Sequence, residues 1–291
     1  MSHVLVVGDL MVDVVAVHKD PIAPGSDTAA RIRLAGGGSA ANTACWLASL
    51  GEADVQLLAA RGHDHLGLVA EADLVAAGVT FVGPVLTDAP TGTCVVLVDA
   101  NGERTMLPDR GANDRLPLSA VIGGLDPMPG WVHLSGYAIL HEGSRNAGRA
   151  ALSAGVAGGA TVSIDAASTA PIEAVGAEAF LQWIEGASLV FANDDEVEAL
   201  GGVKAVLEHV GAVAVKHGAA GATWTDGRSS VTTEGLPVDA IDSTGAGDAF
   251  AAGWIASLRL RGDPKEALAE AVRCGATAVT TVGARPLPPD A

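Results

Sequence analysis

The chain has 291 residues, 49% of them apolar, and a formal net charge of −17. That length suits one large domain with a full core, and so acidic a surface argues against nucleic acid or an anionic membrane as the main partner. The longest uncharged stretch, Leu34–Gly51, holds three consecutive glycines, Ser39, Asn42 and Thr43, a composition foreign to a membrane-spanning helix.

The N-terminus enters an apolar strand at once, with no basic segment or cleavage site before it. Cys45, Cys94 and Cys274 are scattered, lack metal spacing, and read as small core residues in a reducing cytoplasm. Val4–Val7 is a short buried strand ending at Gly8-Asp9. Met11–Val17 and Ala29–Leu34 alternate apolar with polar residues, as half-exposed strands do. Val95–Asp99 and Glu103–Leu107 alternate likewise around Asn101-Gly102, a strong hairpin signal. These four strands, inserted at about 11–34 and 95–107, are expected to form a small exposed sheet that acts as a lid on a single domain.

The remainder alternates strands with helices. Helices are expected at Asn42–Leu50, Leu66–Ala77, Ser144–Ala157, Ala177–Ile184, Asp248–Arg259 and Pro264–Val279. Strands are expected at Val55–Ala59, Trp131–Leu134, Thr161–Ile164, Leu189–Ala192 and Val213–Lys216, followed by a Gly-rich, hairpin-like region to Val231. Repeated βα units imply an α/β fold with a mostly parallel sheet covered on both faces. Ligands in such folds bind at the carboxyl ends of strands, where this reading puts Asp9, Asp165, Asn193 and Asp242.

The most telling stretch is Asp242-Ser-Thr-Gly-Ala-Gly-Asp248-Ala-Phe250. The apolar run Leu236–Ile241 before it reads as a strand end, and the run after it is helical. Glycines at this turn leave backbone N–H groups free to hold an anion. A carboxylate in the same turn, Asp248, suits a base that takes the proton from a hydroxyl attacking phosphorus.

Gly36-Gly-Gly-Ser-Ala-Ala-Asn42 also opens a helix, but it half-matches the dinucleotide fingerprint only and follows a polar strand. It reads better as a glycine run that admits a hydroxylated substrate to backbone, with Asn42 as donor and acceptor. The Walker motif, the protein-kinase motifs and the nucleophile elbow are missing. Asn193-Asp-Asp-Glu196 fits ordinary helix capping, and beside a phosphate it also fits Mg²⁺ held through water. Lys216-His-Gly-Ala-Ala-Gly221 offers glycines and a cation to nucleotide phosphates.

On these motifs the chain resembles the ribokinase-like (PfkB) carbohydrate kinases over nearly its whole length. The resemblance rests on Asp242–Phe250 and Gly36–Ala44. It is supported in family order by Gly8-Asp9…Asp13, Arg61-Gly-His-Asp64…Gly67, Gly102-Glu-Arg-Thr105, Asn193…Glu196 and Gly218…Gly221. It implies a three-layer α/β/α fold with a β-sheet lid that builds a dimer in several members. Asp248 would be the catalytic base, and the N–H groups of Gly245, Ala246 and Gly247 the anion hole. Asp13, Gly37, Gly38 and Asn42 would hold sugar hydroxyls. Asn193 and Glu196 would organise Mg²⁺, and Asn193, Lys216, Gly218 and Gly221 would line ATP. Asp242, Thr244 and carbonyls near Gly283 would match a monovalent-cation loop for K⁺.

Three departures bear on the substrate. Ser39 stands where ribokinases carry Lys. His133-Leu-Ser-Gly-Tyr137 replaces a segment with a substrate-binding Glu, and Lys216 replaces a small hydroxyl residue. Arg104 and Arg110 lie where lid residues meet an acidic or phosphorylated sugar, and solvated hairpin charges remain the alternative for both. The sequence is therefore expected to encode an ATP- and Mg²⁺-dependent kinase acting on a primary hydroxyl of a small sugar or sugar acid. The rivals are a nucleoside kinase of the same fold, a non-catalytic sugar-binding regulator and, on the glycine run alone, an NAD-dependent oxidoreductase.

Overall fold

The computed structural model describes residues 2–287. Its strands are β1 (Val4–Val7), β2 (Met11–His18), β3 (Ala30–Gly37), β4 (Val55–Leu58), β5 (Arg61–Gly62), β6 (Val79–Phe81), β7 (Val85–Leu86), β8 (Gly92–Val98) and β9 (Arg104–Asp109), then β10 (Trp131–Ser135), β11 (Thr161–Asp165), β12 (Leu189–Asn193), β13 (Val213–Lys216), β14 (Gly221–Thr225) and β15 (Ser230–Glu234). The helices are α1 (Ser39–Ser49), α2 (His65–Ala76), α3 (Leu118–Gly124), α4 (Tyr137–Leu140), α5 (Glu142–Ala157), α6 (Thr169–Val175), α7 (Ala177–Trp183), α8 (Asp194–Ala199), α9 (Val203–Leu207), α10 (Ala246–Arg261) and α11 (Pro264–Ala278).

The main sheet has nine strands in the order β15-β14-β13-β12-β11-β10-β1-β4-β6. It is parallel from β13 to β6, and β14 and β15 extend it antiparallel. Period-two geometry splits each central strand between two cores. Val4 and Val6 face α1, α2, α10 and α11, whereas Leu5 and Val7 face α3 to α9. Both faces of β1 are buried, which is why it reads as an unbroken apolar run rather than an alternation.

The second sheet, β3-β2-β8-β9, is a small separate sheet built from the four strands expected to form one. Only its β2–β8 pair is parallel. Its inner face carries Met11, Asp13, Val15, Cys94 and Val96 and is buried. Its outer face carries the cross-strand row Leu34–Val14–Val95–Leu107. Of these, Leu34, Val95 and Leu107 are exposed.

Two expectations fail. Residues 236–241 are irregular and not the end of a strand. Pro237 supplies no N–H to a ladder, and the segment is instead tied down where Ile241 and Asp242 donate to the Val279 carbonyl after α11. Asp242 therefore does not cap a strand, unlike Asp165 and Asn193, which end β11 and β12. His133, in the segment that replaces a substrate-binding Glu, belongs to the core. It is fully buried in β10, bonded through Nδ1 to Ser163 Oγ at 2.9 Å and packed on Phe191.

Candidate active site

The turn into α10 forms because Gly245 adopts a left-handed conformation at φ 75°. A Cβ there would also collide with the backbone of Ala284. Gly247 has no positive φ. Its constraint is space, since a Cβ would lie 3.1 Å from Lys216 Nζ. Of the three N–H groups expected to cradle an anion, that of Ala246 is turned back on the Ser243 carbonyl at 3.3 Å. Asp248 is the third residue of the helix.

Asp248 is held from α1. Asn42 Nδ2 donates to Oδ2 at 2.9 Å and Ser39 Oγ donates to Oδ1 at 2.8 Å. Burial pushes its carboxyl up to about 7, against those two hydrogen bonds, and the carboxylates of Asp165 and Asp9 add to the rise. A carboxylate with a proton affinity near neutrality is tuned for general-base work. Asp9 itself caps α1, accepting from the N–H groups of Ser39 and Ala40 at 3.2 and 3.3 Å.

Asp13 reaches the same cavity from the lid. Gly37 is glycine because a side chain there would overlap the Asp13 carboxylate. Gly37 does not itself line the cavity, whereas Asp13, Gly38 and Asn42 do. Burial lifts the Asp13 carboxyl to about 6, an effect that Arg285 softens and Asp9 strengthens.

The two arginines separate. Arg104 is not in the cavity lining. Its Nη2 lies 2.6 Å from Asp242 Oδ1, and its Nη1 donates to Thr244 Oγ1 at 2.8 Å. Asp242 also accepts from the N–H groups of Thr244 and Gly283 at 2.8 and 2.9 Å. The expected substrate role of Arg104 and the expected cation loop thus cancel each other. A guanidinium and two N–H donors already satisfy the carboxylate, and a K⁺ ion does not fit donors of the same sign. Arg110 does line the cavity. Its Nε pairs with Asp114 at 2.7 Å, and its side chain is 9% exposed. Its Nη2 is buried with no hydrogen-bond partner, and its guanidinium lies 6.0 Å from the Tyr137 ring centroid.

On the other side of Asp248, Lys216 pairs with Asp165 at 2.8 Å. Asn193 and Glu196 form a reciprocal capping box at the start of α8, with Glu196 3% exposed. Burial and the neighbouring Asp165 raise the Glu196 carboxyl, while Lys216 lowers it. Among the described residues no group of three His, Cys, Asp or Glu is arranged to hold a metal. A divalent ion here fits only as one that brings phosphate and water oxygens with it. Gly218, Ala219 and Gly221 line the same cavity as the apolar side chains of Val238, Val272, Ala276 and Val279. Asp13, Asn42 and Asp248 line it too, and its volume is about 1280 Å³.

Sequence reasoning missed Ser39 as a partner of Asp248, Asp165 as the partner of Lys216, and Arg285. Arg285 Nε donates to Asn42 Oδ1 at 3.2 Å and Nη2 to the Gly37 carbonyl at 3.0 Å. No local pattern marks a residue that acts 243 positions away.

Comparison with known proteins agrees with this architecture. The pfkB family of carbohydrate kinases matches residues 1–291. An ATP-dependent ribose-1-phosphate kinase from Halopiger xanaduensis is 36% identical, over 99% of this chain and 95% of that protein. A candidate ribokinase II from Escherichia coli, solved with ATP and Mg²⁺, superposes with a TM-score of 0.86 at 25% identity, covering 98% of this chain and 94% of that one. The adenosine kinase of Sinorhizobium meliloti shares the fold at a TM-score of 0.88 and 24% identity, covering 98% and 96%. The fold is ribokinase-like, and the chain is a carbohydrate kinase belonging to the pfkB family.

Proposed function

We propose that the protein transfers the γ-phosphoryl group of ATP, in the presence of Mg²⁺, to a primary hydroxyl of a small sugar that also carries an anionic group. The observation that carries this reading is Asp248. It stands half-buried at the third position of α10, held by Asn42 and Ser39, with a carboxyl near 7. The acceptor hydroxyl attacks phosphorus, the bond from phosphorus to the ADP oxygen breaks, and the hydroxyl proton passes to Asp248. Asp13, Gly38 and Asn42 orient the acceptor. Lys216, 3.1 Å from where a Gly247 side chain would begin, and the N–H groups of Gly245 and Gly247 meet the transferring charge. Mg²⁺ supplies charge neutralisation between the phosphates, and Glu196 with Asn193 would hold it through water.

The orphaned Nη2 of Arg110 supports the anionic acceptor. A buried guanidinium arm without a partner is costly, and a phosphate or carboxylate satisfies it. The name of the Halopiger relative, a kinase of ribose 1-phosphate, points the same way. Among the described residues, Tyr137 and Phe250 are the only Phe, Tyr or Trp side chains in the cavity lining, which disfavours a nucleoside acceptor. A pure binding protein has no use for Asp248. The exposed apolar row on the outer lid face, Leu34–Val14–Val95–Leu107, supports pairing of two copies through their lids, which light scattering on the purified protein would read as twice the chain mass.

Thermal shift with an ATP analogue and Mg²⁺ tests the acceptor class. Pentose phosphates and sugar acids should stabilise the protein, and Arg110→Ala should abolish that gain while sparing the gain from nucleotide. Equal stabilisation by neutral sugars, unchanged in Arg110→Ala, would overturn the anionic acceptor.

A further inference from the structure

The segment Gly283–Arg285 follows the last helix, yet it ties the turn before α10 to α1 and the glycine run. Gly283 donates to Asp242 beside the anion hole at 2.9 Å. The Ala284 carbonyl accepts from Trp46 Nε1 of α1 at 3.0 Å, and Ala284 fills the space that Gly245 leaves open. Arg285 then lies against the glycine run. A Cβ on Gly36 would overlap its guanidinium, its Nη2 donates to the Gly37 carbonyl, and its Nε donates to Asn42 Oδ1.

We propose that Arg285 is a positioning residue that fixes which end of the Asn42 amide faces Asp248. The proposal rests on the reading of Asp248 as the base. An amide has one end that donates and one that accepts, and a guanidinium only donates. Arg285 therefore selects Oδ1, which leaves Nδ2 on the far side to donate to Asp248 Oδ2. Without Arg285 the amide is free to turn over. It would then aim a carbonyl oxygen at the carboxylate of Asp248. The structure also gives a reason for the first glycine of the run, because the three atoms that a Cβ on Gly36 would meet first all belong to the Arg285 guanidinium.

The consequence is a specific change in how Asp248 titrates. The groups that act on it are Asn42 and Ser39 from α1, Asp9 after β1, Asp165 from β11, Lys216 from β13 and Tyr137 from α4. All but Asn42 keep their places when Arg285 is replaced. Arg285 acts as well on Asp13, alongside Asp9, Arg33 and Cys94, so acceptor affinity is a poor readout of the amide. The titration of Asp248 in the ligand-free protein separates the two effects and needs no known acceptor.

Thermal stability is measured from pH 5 to 9 for Asp248→Asn in the wild-type background and in Arg285→Met, a substitution that keeps bulk but donates nothing. In the wild-type background the stability gain of Asp248→Asn should climb with pH and level off at about 7. In Arg285→Met the levelling-off should move up by about one pH unit, the equivalent of one lost hydrogen bond to the ionised form. Arg285→Lys should restore part of the shift. Gly36→Ala, which crowds the guanidinium without touching charge, should reproduce the shift and carries the test if Arg285→Met does not fold. An unmoved levelling-off point with a uniform loss of stability would make Arg285 merely structural and overturn the proposal. Failure of the base reading looks different, because Asp248→Asn would then keep its turnover whatever Arg285 does.

Discussion

Asp248→Asn should do two opposite things: stop the chemistry and strengthen the fold at alkaline pH. In the folded protein the carboxyl sits at about 7, against an ordinary 3.8. A raised folded pKa means that ionisation weakens the fold, so the wild type loses stability as pH rises from about 4 through 7. A gap of roughly three pH units corresponds to about 4 kcal/mol at full ionisation. Asparagine is neutral at every pH and escapes that loss. Its amide oxygen still accepts from Asn42, and the Ser39 hydroxyl can rotate to accept from its NH₂, so little is lost in exchange. A net gain of about 2–4 kcal/mol is expected at pH 8, or about 3–6 °C in Tm for a chain of this size. At pH 4.5 the gain should shrink to about 1 kcal/mol, because Asp248 is then protonated in the fold and ionised only in the unfolded chain. Turnover should fall on the order of a hundredfold or more, since an amide cannot take the acceptor proton. Differential scanning fluorimetry across pH, with ADP release measured on the same samples, reads both arms. A variant that is less stable than wild type at pH 8, or that turns over within a few-fold of it, would refute the reasoning.

Asp13→Ala should raise the acceptor KM about tenfold or more while leaving ATP affinity almost alone, because paired hydrogen bonds to buried hydroxyls are lost; an unchanged KM removes Asp13 from the acceptor site. Glu196→Gln should keep the fold, as Gln also closes a capping box, but raise the Mg²⁺ concentration for half-maximal rate about tenfold; wild-type Mg²⁺ dependence would reduce that motif to capping. Gly247→Val should damage turnover far more than Tm by crowding Lys216 Nζ, and a variant that unfolds while its folded fraction stays active would make the glycine structural. Exchanging KCl for choline chloride should leave rate and Tm unchanged, whereas Arg104→Ala should cost about 2–3 kcal/mol of stability by leaving Asp242 buried without its counter-ion. Strong activation by K⁺ would mean that Arg104 vacates Asp242 in the working enzyme.

The parts of this site that are contiguous in sequence are the parts that can be read from it. The turn before α10, the glycine run before α1 and the Asn193–Glu196 cap are local rules of backbone angle, close approach and capping. The lid followed from alternation and from Asn101-Gly102, which does join β8 to β9. The failures are of two kinds. Leu236–Ile241 has a strand-like pattern, but pattern does not supply a partner, and Pro237 withholds a donor. Arg104, Arg285 and Asp165 act through pairings that only the folded chain creates. Arg104 meets Thr244 across 140 positions, so its identity as a lid cation was visible and its partner was not. Gly247 shows the limit within a motif: the glycine was legible, but the Lys216 ammonium that lies beside it was not.

The most direct test of the central claim is acceptor-dependent ADP formation by the purified protein with ATP and Mg²⁺. The acceptors to offer are neutral pentoses and hexoses, their phosphate esters, sugar acids and nucleosides. ADP should form with an anionic sugar and appear in step with one new phosphate ester on its primary hydroxyl. Formation should be lost in Asp248→Asn and slowed through KM in Arg110→Ala. ADP formation with a nucleoside alone, or with a neutral sugar at a rate that Arg110→Ala leaves untouched, would contradict the account.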